Sequence, residues 1–331
     1  MRRVFCDVPG RPGLIATLTL NPTLDDAVET VSLIPDDVSP ARTVRIDPGG
    51  KGINVSRTLH RLRVPTIAYA LIAGWSGHRL QDLLAAEGVA HCLSPIPGET
   101  RVNLVITTTA DNVQYHLHYP GPGVRHEDIT LLLADMAALD PKPVFWVQGG
   151  SLPPGAPANT YAVAIQQAHR HGIPTILDAD REPLRLGVNA SPYLIKPNRY
   201  ELSRLVGQDL TTRPAMLAAA RSVIATHGVQ IVLLSLGADG ALAINRQEAW
   251  ALIPPPVTPV SRVGAGDAMV AGMAKALAAG ETLVDAARYA VAVGTAKVLS
   301  PGTALAQVDE VQRLQALIRV EKLDAAQSHT A

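Results

Sequence analysis

The sequence has no surplus of charge of either sign. Its 331 residues include 29 Lys and Arg and 29 Asp and Glu, so the formal net charge is zero. Proteins that bind nucleic acid regardless of sequence, or membranes through polybasic patches, carry a positive surplus. We therefore predict no nucleic-acid partner and no membrane partner. Any bound anion must be held by a few specifically positioned side chains or backbone groups and not by the overall charge of the protein.

Cysteine and long uncharged apolar runs are also scarce. Two cysteines are too few for the disulfide framework of a small secreted fold, and they fit a reducing compartment. The most apolar long stretch, residues 265–280, contains an aspartate, a lysine and three glycines, which is not typical of a membrane span. The first 13 residues lack an apolar core of signal-peptide length. We therefore expect a cytoplasmic protein.

Short β-branched runs alternate with longer segments of helical period over most of the chain. The pattern predicts strands at 14–20, 66–72, 144–148, 174–178, 193–196 and 230–236, and helices at 53–63, 77–87, 158–171 and 214–227. Such alternation indicates an α/β fold with a mostly parallel, doubly wound sheet flanked by helices. This architecture places ligands at the carboxyl ends of the strands.

Four further short runs lack a crossover helix. They are residues 28–32, 43–47, 101–109 and 113–119, and the last two are joined by residues 110–112 as in a hairpin. We expect a small separate sheet, with strands drawn from about 28–47 and 99–119, that serves as a lid, a dimer interface or both. Residues 1–13 and 323–331 are predicted to be flexible ends of one domain spanning 1–331.

A glycine pair precedes a helical segment in the sequence Val-Gly-Ala-Gly-Asp. Gly264 and Gly266 let the backbone approach a ligand closely, and the helix that follows directs its free N–H groups toward that ligand. An anion such as a phosphate is the natural occupant. Asp267 then has two interpretations of equal weight: a base that deprotonates a hydroxyl attacking the phosphorus, or a capping carboxylate.

A second glycine cluster, Pro-Gly-Gly-Lys-Gly-Ile-Asn, precedes the first predicted helix. A Walker A loop is excluded because Gly52, rather than Ser or Thr, follows Lys51. The G-x-G-x-x-G dinucleotide fingerprint is absent both here and at Gly264. Asn54 on the first turn offers a donor and an acceptor. The cluster indicates a sugar or polyol site or, alternatively, a simple tight turn.

Polar residues also gather where a predicted strand ends at Lys196. Pro197 stops that strand, so Lys196, Asn198 and Glu201 lie at its carboxyl end. The chain has six lysines against 23 arginines, which makes a lysine at this point informative. The alternative is a solvated strand end.

Weaker signals fall on the first turn and on the lid. Asp25 follows the first predicted strand, where it either holds substrate hydroxyls or forms a turn. Arg101 and Asn103 alternate onto one face of a lid strand. His116 and His118 share a face too, but no third ligand has metal-site spacing, so we expect no metal there.

Together these motifs resemble the phosphofructokinase B family of sugar kinases, in the ribokinase superfamily. The resemblance runs from about residue 14 to residue 314, with the motifs in the family's order. The matching segments are 49–55, 150–155, 196–198 with Glu201, 235–237 with Gly240, and 263–267. The resemblance implies a ribokinase-like fold with a small β-sheet lid.

The resemblance also implies a role for each motif residue. Asp267 is the base, and the backbone of Gly264, Ala265 and Gly266 forms the anion hole for the transferring phosphoryl group. The nucleotide site comprises Lys196, Asn198, Ser235 and Gly237, and Glu201 with Asn198 positions Mg²⁺ largely through water. Sugar hydroxyls and the existing phosphate are bound by Asp25, Gly49, Gly50, Lys51, Asn54, Arg101 and Asn103, with Arg101 on the phosphate.

Within the family, residues 100–104, 114–115 and 254–257 are most similar to the minor bacterial 6-phosphofructokinases. This similarity implies ATP-dependent phosphorylation of the C1 hydroxyl of fructose 6-phosphate by a homodimer that contacts through its lid sheets. Lys51 instead matches kinases of tagatose 6-phosphate or fructose 1-phosphate, and Arg262 departs from the family's small residue. A non-catalytic sugar-phosphate sensor and a dehydrogenase remain as further alternatives.

Overall fold

A computed structural model of the chain describes residues 13–323, in which two β-sheets are the main organising elements. The predicted flexible ends lie outside the described residues, apart from Gly13 and Leu323. The backbone N–H of Leu323 donates to the carbonyl of Ala249. No helix within residues 13–323 is both long and apolar enough to cross a membrane.

The main sheet contains ten strands. In chain order they are β1 (Ile15–Thr19), β4 (Thr66–Ile72), β5 (His91–Pro95), β8 (Phe145–Gly149), β9 (Thr175–Asp178), β10 (Leu194–Ile195), β11 (Ile231–Ser235), β12 (Ala241–Ile244), β13 (Ala249–Ile253) and β14 (Arg319–Lys322). Their spatial order is β14-β13-β12-β11-β10-β9-β8-β1-β4-β5. The seven strands from β11 to β5 pair in parallel, and β12, β13 and β14 extend one edge antiparallel.

Helices cover both faces of this sheet, as a doubly wound fold requires. One face is covered by α1 (Lys51–Arg61), α2 (Gly74–Ala86), α8 (Ala265–Ala278), α9 (Leu283–Val298) and α10 (Val308–Leu317). The other is covered by α3 (His126–Ala137), α4 (Thr160–Arg170), α5 (Arg181–Val188), α6 (Arg199–Val206) and α7 (Arg213–His227). Because side chains alternate along a strand, Ile15 of β1 packs on the first face and Ala16 on the second.

The second sheet has four strands in the order β3-β2-β6-β7. They are β2 (Thr23–Thr30), β3 (Ala41–Gly49), β6 (Arg101–Thr108) and β7 (Val113–Leu117). The β2 and β6 strands are parallel, whereas β6 and β7 form the predicted hairpin. We call this four-stranded sheet the lid sheet.

The structure confirms the six predicted parallel strands, the four predicted helices and the separate sheet, each within a few residues of its predicted bounds. The first lid strand was predicted at 28–32 but runs from Thr23 to Thr30. Adjacent Asp25 and Asp26 concealed its start, since acidic residues are depleted in strands. Asp25 therefore lies within a strand and not in a turn. The sequence prediction also missed β5 and the antiparallel strands β12, β13 and β14.

Candidate active site

Several predicted site residues, together with Asp178, meet at one edge of the main sheet. The carboxyl ends of β9, β10 and β11 bring Asp178, Lys196 and Ser235 there. The first turns of α1 and α8 reach the same edge from one covering layer of helices, as the close approach of Asn54 to Asp267 shows. This is the edge where open α/β sheets bind ligands.

At the centre of this edge, two lysines share one buried carboxylate. The Lys51 Nζ donates to Asp178 Oδ1 at 2.7 Å, and the Lys196 Nζ lies 3.4 Å from the same oxygen. Burial disfavours the charge on Asp178, but the ammonium groups of Lys196 and Lys51 hold its pKa below the ordinary value. The same ammonium groups also act on the carboxylates of Asp267 and Glu201, so this part of the cleft contains positive and negative groups side by side.

The Asp267 carboxylate lies on the first turn of α8 and is almost fully buried. Its Oδ2 accepts a hydrogen bond of 2.8 Å from the Nδ2 of Asn54 on the first turn of α1. Burial raises the pKa of Asp267 to about 6; nearby Asp178 adds to the rise, while Lys51, Asn54 and Lys196 oppose it. A carboxylate with this pKa is ionised at neutral pH yet basic enough to accept a proton.

The glycine pair forms the start of α8 as predicted. Gly264 precedes the helix in the left-handed region at φ 75°, where residues with a side chain are strained. A Cβ placed on Gly266 would lie 3.3 Å from the Lys196 Nζ, so the lysine ammonium lies directly above this backbone. The Ala265 N–H makes a long hydrogen bond of 3.4 Å to the carbonyl of Arg262. The first N–H groups of a helix have no intrahelical acceptor, which makes this turn suited to an anion.

The lid sheet contributes a second polar cluster around Asp25. Asn103 on β6 donates from Nδ2 to Asp25 Oδ1 at 3.3 Å. Burial raises the pKa of Asp25 to about 6, against the opposing effects of Asn103 and Arg101. A Cβ on Gly49 would clash with the Asp25 carboxylate, so a side chain at position 49 would displace that carboxylate. Gly50 caps α1, and the structure thus brings Asp25, Gly49, Gly50 and Asn103 together.

Arg101 has partners other than the phosphate ligand implied by the family resemblance. Its guanidinium donates to the backbone carbonyls of Asn21 at 2.8 Å and Tyr119 at 3.0 Å, with a longer contact to Pro22. Half-buried Arg101 therefore ties the end of the lid hairpin to the loop after β1. Carbonyl acceptors leave its positive charge uncompensated, and the Asp25 carboxylate attracts that charge without forming an ion pair in the described structure.

Asn198 and Glu201 form a reciprocal capping box at the start of α6. The Asn198 Oδ1 accepts from the Glu201 N–H at 2.9 Å, and the Glu201 Oε2 accepts from the Asn198 N–H at 2.7 Å. Both residues thus have a structural task in addition to the role implied for them. Ser235 lies beside Asn198 through a parallel bridge, and a Cβ on Gly237 would meet nothing within 4 Å, so Gly237 faces open space.

Two features of this region were missed by the sequence prediction. Asp178 ends β9, and its position at the end of a predicted strand was the signal that could have identified it. Buried Arg57 forms ion pairs with Asp47 and Glu87 beneath the glycine cluster, and no local pattern indicates that network. Within residues 13–323, no group of three or more His, Cys, Asp or Glu side chains is arranged to hold a metal ion.

Comparison with known proteins places the chain in a family. The model of the pfkB family carbohydrate kinases matches residues 18–310. The ATP-dependent 6-phosphofructokinase isozyme 2 of Mycobacterium tuberculosis is 35% identical over 304 residues, covering 92% of this chain and 89% of that protein. The 1-phosphofructokinase of Rhodobacter capsulatus is 33% identical over 310 residues, covering 93% and 98%.

A solved structure agrees with these sequence relatives. The crystal structure of phosphofructokinase-2 from Escherichia coli in complex with substrates and products matches with a TM-score of 0.87 at 34% identity, covering 91% of this chain and 98% of that chain. The large parallel sheet, the small second sheet and the glycine motifs thus have a common explanation. The chain belongs to the pfkB family of carbohydrate kinases and has the ribokinase-like fold that its sequence predicted.

Proposed function

We propose that the protein transfers the γ-phosphoryl group of ATP to the C1 hydroxyl of fructose 6-phosphate. The observation that carries this proposal is the placement of Asp267, a buried carboxylate with a pKa raised to about 6, on the helix turn that begins at Gly264. A base and an anion-binding turn side by side suit a hydroxyl attacking a phosphoryl group. Relatives named 6-phosphofructokinase support the choice of reaction.

In this mechanism Asp267 takes the proton from the acceptor hydroxyl while Asn54 holds its carboxylate in place. The hydroxyl oxygen forms a bond to the γ-phosphorus, and the bond from that phosphorus to the bridging oxygen breaks, releasing ADP. The amides of Gly264, Ala265 and Gly266 bind the equatorial oxygens of the transferring group. Phosphoryl transfer depends mainly on positioning and charge stabilisation, which these groups supply.

The nucleotide is proposed to bind at the carboxyl ends of β10 and β11. Lys196 lies above Gly266, where its ammonium would neutralise charge on the ATP phosphates. Ser235 and Gly237 border open space beside Asn198 and would line the rest of the nucleotide site. Asp178 keeps Lys196 and Lys51 in the cleft through their shared ion pair.

The oxygen donors of this region fit Mg²⁺, which prefers one or two carboxylates and several waters. Glu201 offers a buried carboxylate, and the Oδ2 of Asp178 is buried without a hydrogen-bond partner in the described structure. We assign Glu201, with Asn198 beside it, to hold the ion largely through water. When bound, the ion would neutralise charge on the phosphates of ATP.

The acceptor sugar phosphate is proposed to bind between the lid sheet and α1. Asp25, Asn103 and Asn54 supply donors and acceptors for sugar hydroxyls, and Gly49 and Gly50 permit close approach of the backbone. Arg101 would bind the phosphate already on the sugar. Tagatose 6-phosphate or fructose 1-phosphate is the second candidate acceptor, favoured by the Lys51 ammonium in the cleft and by relatives named 1-phosphofructokinase.

A homodimer through the lid sheets is the proposed assembly of this single-domain chain. Val113, Tyr115 and Leu117 alternate onto one face of β7 and are 40%, 43% and 46% exposed. The paired residues Leu104 and Ile106 of β6 belong to the same face. An exposed apolar sheet face indicates a protein interface, and the lid sheet of a second copy is proposed to cover it.

The cytoplasm, where ATP is supplied, is the proposed location of the protein.

A substrate panel tests the proposal directly. The purified chain is assayed with ATP and Mg²⁺ against fructose 6-phosphate, tagatose 6-phosphate, fructose 1-phosphate and unphosphorylated fructose, with ADP release coupled to NADH oxidation. We expect the highest kcat/KM with fructose 6-phosphate. A preference for one of the other phosphorylated sugars would select that acceptor. No ADP release with any sugar would favour a non-catalytic sensor.

A further inference from the structure

Three buried cations lie near the site, and one of them differs from the other two. Arg57, Lys196 and Lys297 are 1%, 5% and 3% exposed. Arg57 has ion pairs with Asp47 and Glu87, and Lys196 has one with Asp178. Lys297 forms no ion pair with any residue in the 13–323 range. A charge removed from water without a paired opposite charge is costly, so its retention calls for an explanation.

Lys297 lies in the last turn of α9 and extends toward the glycine turn. Its Cε is 3.5 Å from the position that a Cβ on Gly264 would occupy. Its Nζ donates to the carbonyl of Gly302 at 2.9 Å, the one hydrogen bond that the described residues give it. Lys297, Gly264 and Asn54 border the same small cavity, together with Thr303. The Lys297 side chain therefore lies next to the turn at Gly264, where the anion hole is proposed.

The charges around Lys297 act on it in both directions. Asp47 and Asp267 attract its positive charge, whereas Arg57 and Arg45 repel it. Burial lowers the pKa of Lys297 to about 8, so the ammonium form predominates at neutral pH. A cation in the last turn also complements the dipole of α9, which by itself would be a purely structural task.

We propose that Lys297 is a positioning residue for phosphoryl transfer. Its side chain packs beside the left-handed turn at Gly264, and its ammonium adds positive charge near the anion hole while charge develops on the transferring group. Lys297 touches neither substrate. The inference rests on the phosphoryl transfer proposed above, and nothing in the sequence pattern indicates it.

Lys297→Met tests this role because it removes the charge and keeps the length of the side chain. We expect kcat to fall by about 10- to 100-fold, less than for direct loss of an anion-hole donor, with smaller changes in both KM values. Lys275→Met is the matched control. Lys275 lies in the last turn of the neighbouring α8 and bonds to the Tyr289 hydroxyl, so kcat should not change.

The pH profile separates this role from a structural one. In the unmodified protein kcat should fall above pH 8 as the Lys297 ammonium loses its proton, and Lys297→Met should lack that limb. Lys297→Arg carries a guanidinium that stays charged, so the fall in kcat should shift to a higher pH. This variant also tests the role if Lys297→Met does not fold. The inference would be overturned if the variants kept the same kcat and the same fall in kcat above pH 8. A lower melting temperature with no change in kcat or in its pH profile would indicate a purely structural role and would overturn it too. Failure of the proposed function would appear instead as no ADP release by the unmodified protein.

Discussion

The two sheets are stabilised in different ways. Every residue of β1 and β4 is buried, and helices cover both faces of these strands. Every residue of β7 in the lid sheet is exposed, and nothing among residues 13–323 covers the apolar face of that strand. The strands of the main sheet are therefore covered by the chain's own helices, whereas the function proposed above assigns a ligand to one face of the lid sheet and a partner subunit to the other. The main sheet should accordingly determine turnover and the lid should determine acceptor affinity.

The largest effect is expected at the main-sheet edge, from Asp267→Asn. Loss of the base should reduce kcat by about 10²- to 10⁴-fold with KM values changed little. In the unmodified protein kcat should fall as the pH drops through about 6, where Asp267 becomes protonated. The coupled ADP assay over a pH series measures both effects. Near-normal turnover in the variant would remove Asp267 from the mechanism.

The same variant should not lose stability. Asp267 has a pKa of about 6 when folded and 3.8 as a reference, so the folded state binds more protons between these values. Stability is then lost as the pH rises through that window, and ionised Asp267 costs up to about 3 kcal/mol at pH 7. Asp267→Asn should unfold at the same or a higher temperature at pH 7. A large drop in melting temperature would contradict this account of the buried charge.

On the lid side, Arg101→Ala should mainly raise KM for the sugar phosphate. Loss of a charged hydrogen bond worth about 1.5–3 kcal/mol corresponds to an increase of about 10- to 150-fold. Arg42→Ala is a control on the same sheet, because Arg42 is exposed and pairs only with Glu29 in the described structure. An increase confined to KM for ATP would show that the acceptor site is misplaced. Thermal unfolding checks that loss of the hydrogen bonds from Arg101 to backbone carbonyls has not unfolded the lid sheet.

The smallest effect on chemistry is expected from Leu117→Glu on the apolar face of β7. Burying a carboxylate in a lid-to-lid interface is unfavourable, so the dimer should dissociate while turnover per chain changes less than in the variants above. Gln114→Glu introduces the same carboxylate on the opposite face of the strand and should leave the mass unchanged. Sedimentation velocity measures both, and a Leu117→Glu variant of unchanged mass would exclude the lid as the interface.

The sequence predicted those parts of the site that depend on local chemistry. A glycine turn followed by a helix can be recognised from a few neighbouring residues, and Gly50 and Gly264 do precede helices, while Lys196 does follow a strand. The ion pair between Lys51 and Asp178 joins residues 127 positions apart, and only the sheet order brings them together. The lack of an ion pair to Lys297 among the described residues is still harder to predict, because it depends on how far Asp47 and Asp267 lie from its ammonium.

The connection between β3 and α1 has a consequence for changing substrate preference. The β3 strand leaves the lid sheet at Gly49 and enters α1 at Lys51, three residues before the Asn54 that holds Asp267. The residues proposed to line the acceptor site and the residue that supports the proposed base thus belong to one uninterrupted stretch of backbone. Any insertion there that widens the site for a larger sugar will also displace Asn54. Variation in acceptor size is better sought in the exposed connection at residues 31–40, which lies before this stretch.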